Sequence, residues 1–393
     1  MDHLVNGVYS GAIPQADVNR ALKHALSIRF RLGLFDPIDN QPFWKIPASV
    51  VQSTEHVQLA KEMTAQGVIL LQNLGTIVPL DPSQSVALIG PHVRDRTVML
   101  GNYIGEMCAN DPGNGCITSI TSFQEGFEKV TNQYGGTLRA SLGCEVYGND
   151  TQWFDSAKEI AAESDVVVFM GGLNMSLERE EWDWIDIGLP TIQKQLLQEL
   201  SQVNPNIVLV LMHGGMLAVY DLSGMVASIV SVGYPGRYAG EILPQVLNGI
   251  KDRAWEKVAV TWYKQSMKKE LNMLDFDMSR SLGRTYRYYT GKPQYSFGFG
   301  LNPLTTFRFE NIQMDAPSKC PDLNECAETE CHQVVNGTVT LRNIGKRAGN
   351  ESVLAYLVPL DIPTSEPASK LKQQLFDFKR IHLGPGKATD VTF

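Results

Sequence analysis

The sequence predicts an α/β protein: an α/β/α sandwich with a mostly parallel sheet, followed by a truncated β-sandwich. Between residues 54 and 262, short and almost continuously apolar runs alternate with segments of helical periodicity. This alternation is typical of parallel strands covered by helices on both faces. After Leu304 the helical periodicity stops, and short alternating runs follow, separated by turns that contain Gly and Pro. Hydrophobic residues make up 43% of the 393 residues, enough for sizeable cores.

The first elements read as a helix, a linker and a second helix. Apolar residues recur at helical spacing over 13–33, with Gly33 as the stop signal. Residues 36–52 are rich in Pro and polar groups and are interpreted as a linker. Thr54 then begins a capped helix that runs to Gln66.

The central region carries five predicted strands with helices between some of them. The strands share short apolar runs: Val68–Leu71, Val86–Ile89, Val166–Met170, Ile207–Met212 and Ile229–Val232. The helical stretches are 152–163, 191–203 and 239–249. Beyond Leu304, four short strands are predicted at Thr338–Arg342, Val353–Leu357, Phe376–Leu383 and Val391–Phe393. These four leave no room for the seven strands of a complete sandwich.

Composition and missing motifs exclude several function classes. The net charge is −8 and no cluster of Lys and Arg appears, so we expect no nucleic-acid partner. No apolar run approaches the roughly 18 residues of a membrane span, so no membrane partner is expected. The dinucleotide, Walker A, GxSxG and HExxH motifs are absent, and we predict no cofactor and no metal. His213-Gly214-Gly215 faintly resembles a lipase oxyanion loop, but without GxSxG we interpret His213 as a packed residue at a strand end.

Cysteines and glycosylation sequons leave the compartment open. There are six Cys, and sequons occur at Asn149, Asn174, Asn336 and Asn350. Scattered reduced thiols and a secreted protein are both consistent with this pattern. The loop CANDPGNGC can fold back on itself, which predicts a disulfide between Cys108 and Cys116. The later group Cys320, Cys326 and Cys331 lacks the paired spacing of a zinc site.

One acidic loop, 172–190, carries most of the functional signal. It follows a buried strand, and the carboxyl ends of parallel strands are where open α/β sheets bind ligands. The loop holds five carboxylates and two tryptophans: Glu178, Glu180, Glu181, Asp183, Asp186, Trp182 and Trp184. Crowded carboxylates and apolar surroundings favour a protonated Glu that can act as a general acid, and Trp faces suit sugar rings. A solvated surface loop is the competing interpretation.

Ordered motifs along the chain resemble glycoside hydrolase family 3, in particular the β-xylosidases and arabinofuranosidases of plants and fungi. The segments that carry the resemblance are RFRLGLFDP (29–37), QGVILLQN (66–73), VALIGPHV (86–93), MLGNYIG (99–105), VSVGYPGRYAGEILPQVLNG (231–249 and flanking), GRTYRYYTG (283–291), YSFGFGL (295–301), LRNIGKRAGNESVLAYL (341–357) and LFDFKRIHLGPG (375–386). They look like the family's "GIVLLKN", "VAVIGPNA", "LGNYxG", "GYPGQxGG", "GRTYRFYxG" and "YPFGYGL". The segments at 341–357 and 375–386 look like the family's fibronectin type III-like domain.

The resemblance assigns roles within the acidic loop. The family's acid/base loop reads roughly G-L/I-D-x-S/T-I-E-x-E-x-x-D-R, which implies that Glu178 is the catalytic acid/base. Glu180, Trp182 and Asp183 would bind substrate beside it. The chain departs from the pattern at two positions, since Asn174 replaces an Asp and Trp184 replaces an Arg. The sequon at Asn174 would therefore fall inside an active-site loop, and we expect it to be unused.

The resemblance also implies a domain plan and a mechanism. Residues 1–35 would be the last helix of a missing (β/α)-barrel, 36–53 a linker, 54–262 the C-terminal α/β sandwich, 263–303 a connecting segment and 304–393 an incomplete fibronectin type III-like domain. Family members are retaining glycosidases whose nucleophile is an Asp on the barrel, about 5–5.5 Å from the acid/base.

On this basis the chain is expected to be a fragment that carries the acid/base but not the nucleophile. By itself it should be close to inactive, because acid catalysis alone contributes only about 10²–10⁴-fold. The implied protein is secreted and removes β-D-xylosyl residues from xylo-oligosaccharides. The alternatives are α-L-arabinofuranosidase or β-glucosidase specificity, and a non-catalytic carbohydrate-binding or structural module.

Overall fold

A computed structural model describes residues 2–104, 115–272, 274–315, 336–359 and 370–393. The chain divides into two units, Met1–Gln58 and Leu59–Phe393. The first unit contains helices α1 (Asp2–Tyr9) and α2 (Gln15–Arg31), followed by three short 3₁₀ turns between residues 38 and 50. The helix predicted over 13–33 is thus confirmed as α2. No described residue of this unit is buried.

A six-stranded sheet is the centre of the second unit. Helix α3 (Thr54–Gln66) leads into it. The strands are β1 (Ile69–Asn73), β2 (Ser85–Ile89), β3 (Thr137–Ser141), β4 (Val166–Gly172), β5 (Ile207–Met212) and β6 (Ser228–Ser231). Their order is β1-β6-β5-β4-β2-β3. All neighbours are parallel except β1 and β6, which confirms the predicted mostly parallel sheet.

Helices cover both faces of this sheet. They are α5 (Phe123–Tyr134), α6 (Phe154–Ala162), α7 (Thr191–Val203) and α8 (Ala239–Leu247); a single turn, α4 (Gly115–Thr118), precedes α5. Alternate strand residues enter two cores: Val168 packs in the core with α5 and α8, whereas Phe169 packs in the core with α6 and α7. All seven residues of β4 are buried, so this strand lies between the two helical layers. This three-layer arrangement is the predicted α/β/α sandwich.

Strand β3 is the one strand of the sheet that the apolar pattern misses. Its residues Thr137–Ser141 are exposed or half-buried, because β3 lies at the edge of the sheet and, within the described ranges, pairs with β2 alone. An edge strand buries less side-chain surface, and so Arg139 is tolerated within it. Helix α5, also absent from the prediction, begins with a capping box formed by Ser122 and Glu125.

Helices α5 and α8 approach so closely that glycine is required at the contact. A Cβ atom on Gly126 would lie 1.7 Å from the carbonyl oxygen of Gly240. A Cβ atom on Gly240 would lie 1.9 Å from the carbonyl oxygen of Thr121. Both obstacles are backbone atoms, which a rotamer change cannot move.

We therefore expect Gly126→Ala to lower the free energy of unfolding by about 1–3 kcal/mol, because the two helices must separate to admit the methyl group. Urea denaturation measures the loss. Gly224→Ala is the matched control, since a Cβ atom there has no heavy atom within 4 Å. Equal stabilities of the two variants would contradict the close helix contact.

Antiparallel strands dominate the C-terminal part of the unit. After the short helices α9 (Met267–Glu270) and α10 (Thr285–Tyr288) come β7 (Phe307–Met314), β8 (Gly337–Asn343), β9 (Gly349–Leu357), β10 (Gln374–Leu383) and β11 (Ala388–Thr392). They form a three-stranded sheet, β11-β8-β7, and a two-stranded sheet, β10-β9. Leu341, Val353, Leu383 and Val391 form a small shared core. All four strands predicted here are found, and the fibronectin type III-like assignment remains a prediction.

Most of the cysteines named in the sequence analysis lie outside the described structure. The side chains needed for the Cys108–Cys116 pairing lie outside it, as does the group Cys320, Cys326 and Cys331. Cys144 is a buried free thiol. Within the described ranges, no helix is long and apolar enough to cross a bilayer. In the same ranges, no three His, Cys, Asp or Glu side chains group as metal ligands.

Candidate active site

Three neighbouring strands deliver the candidate residues to one edge of the sheet. Strands β4, β5 and β6 are adjacent and parallel, so the segments that follow them meet at their carboxyl ends. The acidic loop follows β4, Gly214-Gly215 comes shortly after β5, and Tyr234 comes shortly after β6. Side chains and amides from all three segments can therefore converge on one group.

The acidic loop leaves the sheet at a glycine. Gly172 has φ of +120°, and a Cβ atom there would lie 2.0 Å from the carbonyl oxygen of Met212. The next amide, that of Leu173, donates to the same Met212 carbonyl at 2.8 Å. The start of the loop is thus fixed against β5.

Asn174 shapes the turn that presents Glu178. Its carbonyl oxygen accepts hydrogen bonds from the amides of Leu177 and Glu178, both at 3.0 Å. Its side-chain Oδ1 accepts from the amide of Ser176 at 3.0 Å and from the Ser176 hydroxyl at 2.6 Å. An Asp would offer the same acceptor, so the departure from the family pattern at this position preserves the turn.

The Glu178 carboxylate is held by three hydrogen-bond donors. Oε1 accepts from the amide of Gly214 at 2.5 Å and from the Tyr234 hydroxyl at 2.8 Å. Oε2 accepts from the amide of Gly215 at 2.9 Å. Hydrogen bonds to an ionised group are stronger than neutral ones, so this arrangement fixes the carboxylate plane against the ends of β5 and β6.

The Tyr234 hydroxyl keeps its proton and donates it to a hydrogen bond with Glu178. Burial raises the pKa of its hydroxyl, and the hydrogen bond to Glu178 raises it further. The proton therefore stays on the tyrosine and points to Glu178.

His213 packs between Ser231 and Trp262 at the same edge of the sheet. The side chain is buried, its Nε2 lies 2.8 Å from the Ser231 hydroxyl, and its ring meets the Trp262 ring edge-on at 5.3 Å. Burial lowers the pKa of His213 to about 4. The interpretation of His213 as a packed residue is confirmed.

The Glu178 carboxylate faces a cavity of about 420 Å³. Its lining includes Tyr103, Glu178, Glu180, Gly214 and Tyr234. Tyr103 is 80% exposed, so one aromatic face is open to a ligand. Of the residues predicted to surround Glu178, the structure places Glu180 in this cavity.

Trp182 and Asp183 are placed elsewhere on the loop. Residues Arg179 and Trp182 exchange two backbone hydrogen bonds of 2.9 Å, which turns the chain sharply at Glu180 and Glu181. Trp182 is 56% exposed, with the Arg179 guanidinium over its ring at 5.3 Å. Asp183 is exposed, and neither Trp182 nor Asp183 lines the described cavity. Their predicted substrate contacts stay predictions.

Sequence reasoning missed the partners that hold Glu178. Gly214 and Gly215 were noticed only for a faint resemblance to an oxyanion loop. In the structure their amides donate to the Glu178 carboxylate, Gly214 to Oε1 and Gly215 to Oε2. Tyr234 lies in the GYPG motif, which signalled the family and gave no sign of a contact with Glu178.

Comparison with known proteins places this architecture in a family. Residues 68–302 match the model of the glycosyl hydrolase family 3 C-terminal domain. Beta-D-xylosidase 1 of Arabidopsis thaliana is 33% identical over 410 residues, covering 96% of this chain and 50% of that protein. Beta-xylosidase/alpha-L-arabinofuranosidase 2 of Medicago sativa subsp. varia is 30% identical, covering 90% of this chain and 46% of that protein. The chain thus spans about half the length of the curated relatives it matches.

Solved structures agree with these relatives. The family 3 exo-beta-xylosidase XlnD, in complex with a xylobiose aziridine activity-based probe, superposes with a TM-score of 0.81 at 26% identity, over 99% of this chain and 50% of that one. A beta-glucosidase from Erythrobacter marinus superposes with a TM-score of 0.77 at 24% identity, over 99% of this chain and 52% of that one, and shows the shared fold. With the family model covering most of the α/β sandwich, this chain belongs to glycosyl hydrolase family 3.

Proposed function

We propose that this chain is part of a retaining exo-glycosidase that removes β-D-xylosyl residues from xylan-derived oligosaccharides, with Glu178 as its general acid/base. The observation that carries the proposal is the Glu178 carboxylate, fixed by Gly214, Gly215 and Tyr234 at the carboxyl edge of the sheet. Relatives named as β-xylosidases support the choice of sugar. The substrate is an oligosaccharide, and the chemistry requires no cofactor.

The hydrogen bonds distinguish the two oxygens of Glu178. Among the residues that the structure describes, Oε1 accepts from two donors, whereas Oε2 accepts from Gly215 alone. A carboxylate oxygen has about two lone-pair sites, so Oε2 keeps one free. We infer that Oε2 carries the proton given to the leaving-group oxygen and later takes a proton from the attacking water.

The nucleophile is proposed to come from a (β/α)-barrel domain that completes the site. Retention requires a second carboxylate about 5–5.5 Å from Glu178. Within the first 50 residues, Asp2, Asp17, Asp36 and Asp39 have sequence contexts of a helix or a linker, and none of them fits that role. That relatives are about twice as long as the matched region is compatible with a separate domain of this kind.

Secretion is proposed from the exposed sequons. Asn149 and Asn336 are exposed and open to glycosylation. Asn350 is buried, with Nδ2 donating to the Arg253 carbonyl at 2.8 Å and Oδ1 lying 2.8 Å from Nδ1 of His382. Glycans are thus expected at the first two positions and excluded at Asn350 in the folded chain.

A domain fusion tests the proposed activity. The barrel domain of a family 3 β-xylosidase, joined ahead of residue 36, should hydrolyse p-nitrophenyl β-D-xyloside, because both carboxylates are then present. The chain alone and the barrel alone are the controls and should be close to inactive. Faster hydrolysis of the p-nitrophenyl α-L-arabinofuranoside or β-glucoside than of the β-D-xyloside would replace the proposed xylosidase specificity with arabinofuranosidase or glucosidase specificity. A fusion that folds but cleaves none of the three would support the non-catalytic module instead.

A further inference from the structure

A second cavity, of about 520 Å³, lies on the other side of the segment that leads to Glu178. It is formed by the segments that follow β2, β3 and β4. The lining residues used below are Pro91, Glu145, Tyr147, Trp153, Asn174 and Ser176. We call this cavity the β2–β4 cleft. It shares none of its lining with the cavity that holds the Glu178 carboxylate.

The cleft lies at the topological switch point of the sheet. After β2 the chain moves outward to β3, and it then crosses back to place β4 on the opposite side of β2. The helices on the two sides of this reversal cover opposite faces, since α5 packs in one core and α6 in the other. Open α/β sheets bind ligands in the crevice outside the strand ends at such a point.

The walls of the cleft are held in place by buried contacts. Gln193 is fully buried, and its side-chain amide donates to the carbonyl oxygens of Val146 and Gly172, both at 2.8 Å. The Tyr147 ring meets the Trp184 ring edge-on at 5.8 Å, which restrains a tyrosine that is 62% exposed. An aromatic side chain held in this way presents a preformed surface.

The lining chemistry favours a neutral, polyhydroxylated ligand. Tyr147 and Trp153 offer aromatic faces and Glu145 offers carboxylate acceptors, whereas the Ser176 hydroxyl donates to Asn174 Oδ1 and keeps its lone pairs as acceptors. None of the described lining residues is basic, which disfavours phosphates and other anions. Burial raises the pKa of the Cys144 thiol to about 12, so this lining residue is neutral and unreactive.

We propose that the β2–β4 cleft is a carbohydrate-binding site, separate from the acid/base cavity, that takes pyranose rings of an oligosaccharide. Tyr147 and Trp153 would stack on the ring faces, and Glu145 would accept hydroxyl hydrogen bonds. The choice of xylo-oligosaccharides as the ligand rests on the proposed function, whereas the position of the site does not. Ser176 and Leu177 line the cleft immediately before Glu178, so a sugar bound here lies beside the acid/base loop.

Xylotriose titrated into the full chain, followed by calorimetry, tests the site without any need for hydrolysis. Wild type should bind saturably. Tyr147→Ala and Trp153→Ala should each weaken binding about tenfold or more, because a stacking face is lost. Tyr220→Ala is the matched control, as an equally exposed tyrosine (59%) outside the cleft, and should leave the Kd unchanged.

Glu178→Gln separates this site from the acid/base cavity. If the cleft binds the sugar, Glu178→Gln retains the wild-type Kd. Binding that is lost in Glu178→Gln but kept in Trp153→Ala would assign the sugar to the acid/base cavity; the cleft proposal then fails while the proposed function stands. No saturable binding by folded wild type would also overturn the cleft proposal. Retained cleft binding in a barrel fusion that cleaves no glycoside would overturn only the proposed function.

Discussion

Glu178→Gln in the barrel fusion should slow hydrolysis of aryl β-D-xylosides with good leaving groups by about 10²–10⁴-fold, chiefly at deglycosylation. A good leaving group departs without protonation, so the covalent intermediate still forms. Its hydrolysis then lacks the general base that activates water. Steady-state and burst kinetics on 2,4-dinitrophenyl β-D-xyloside measure the two steps separately.

Azide provides the control for this variant. A small anion attacks the intermediate without a general base, so added azide should restore turnover and give a xylosyl azide product. Tyr234→Phe keeps both amide donors and loses one hydrogen bond to Oε1, so its rate should fall less, about tenfold. If Glu180→Gln is inactive while Glu178→Gln is not, the motif alignment is displaced by two residues. If neither substitution matters, the loop is a solvated surface.

The second large effect is a loss of stability in mild acid, caused by two buried histidines. Burial lowers the pKa of both His92 and His213 from 6.5 to about 4, against smaller opposing influences: mainly Asp95 on His92, and the Gly215 backbone and then Glu178 on His213. Neither ring nitrogen of His92 has a hydrogen-bond partner among the described residues. Below about pH 6.5 the two imidazoles become protonated in the unfolded chain but stay neutral in the folded chain. Stability from these groups is therefore complete above pH 6.5 and is lost as the pH falls toward 4.

Between pH 7 and pH 5 the free energy of unfolding should fall by about 4 kcal/mol, roughly 2 kcal/mol per histidine. Urea unfolding at several pH values measures it. His92→Asn, which introduces the residue of the similar family motif, should remove about half of the pH dependence. His24→Asn, at an exposed position on α2, should leave the pH dependence of the free energy of unfolding unchanged. A flat profile for wild type over this range would show that the imidazoles reach water or a donor in the folded chain. Carboxylates with lowered pKa values, such as Asp165, act mainly below this window.

Burial explains which elements the sequence could predict. Strand β5 was predicted with its observed bounds. All its residues are apolar and buried, and the segments that flank it are polar. Strand β3 could not be found this way, since Thr137, Arg139 and Ser141 carry no apolar signal at the sheet edge. The close packing of α5 and α8 at Gly126 and Gly240 could not be predicted either, because the contact is between backbone atoms and leaves no hydrophobic pattern in the sequence.

The candidate site, too, was predictable from the sequence only in part. The family motif and a strand-end position led to the choice of Glu178, whose catalytic role stays a prediction. Its partners Gly214 and Gly215 act through backbone amides, so their side chains gave no chemical signal. The β2–β4 cleft combines residues from three separate loops, and only the strand order brings them together.

The buried Gln193 side chain links the β2–β4 cleft to the loop that carries Glu178. The same buried side chain bonds Val146, in the wall of the β2–β4 cleft, and both backbone groups of Gly172, where the Glu178 loop begins. Displacement of one segment alters the hydrogen bonds available to the other. Substitutions in the two segments are therefore expected to be non-additive, and any coupling free energy between them must be reciprocal. If a ligand in the β2–β4 cleft displaced Val146, Gln193 would transmit the change to Gly172, and a change at Gly172 would alter the affinity for that ligand by the same factor.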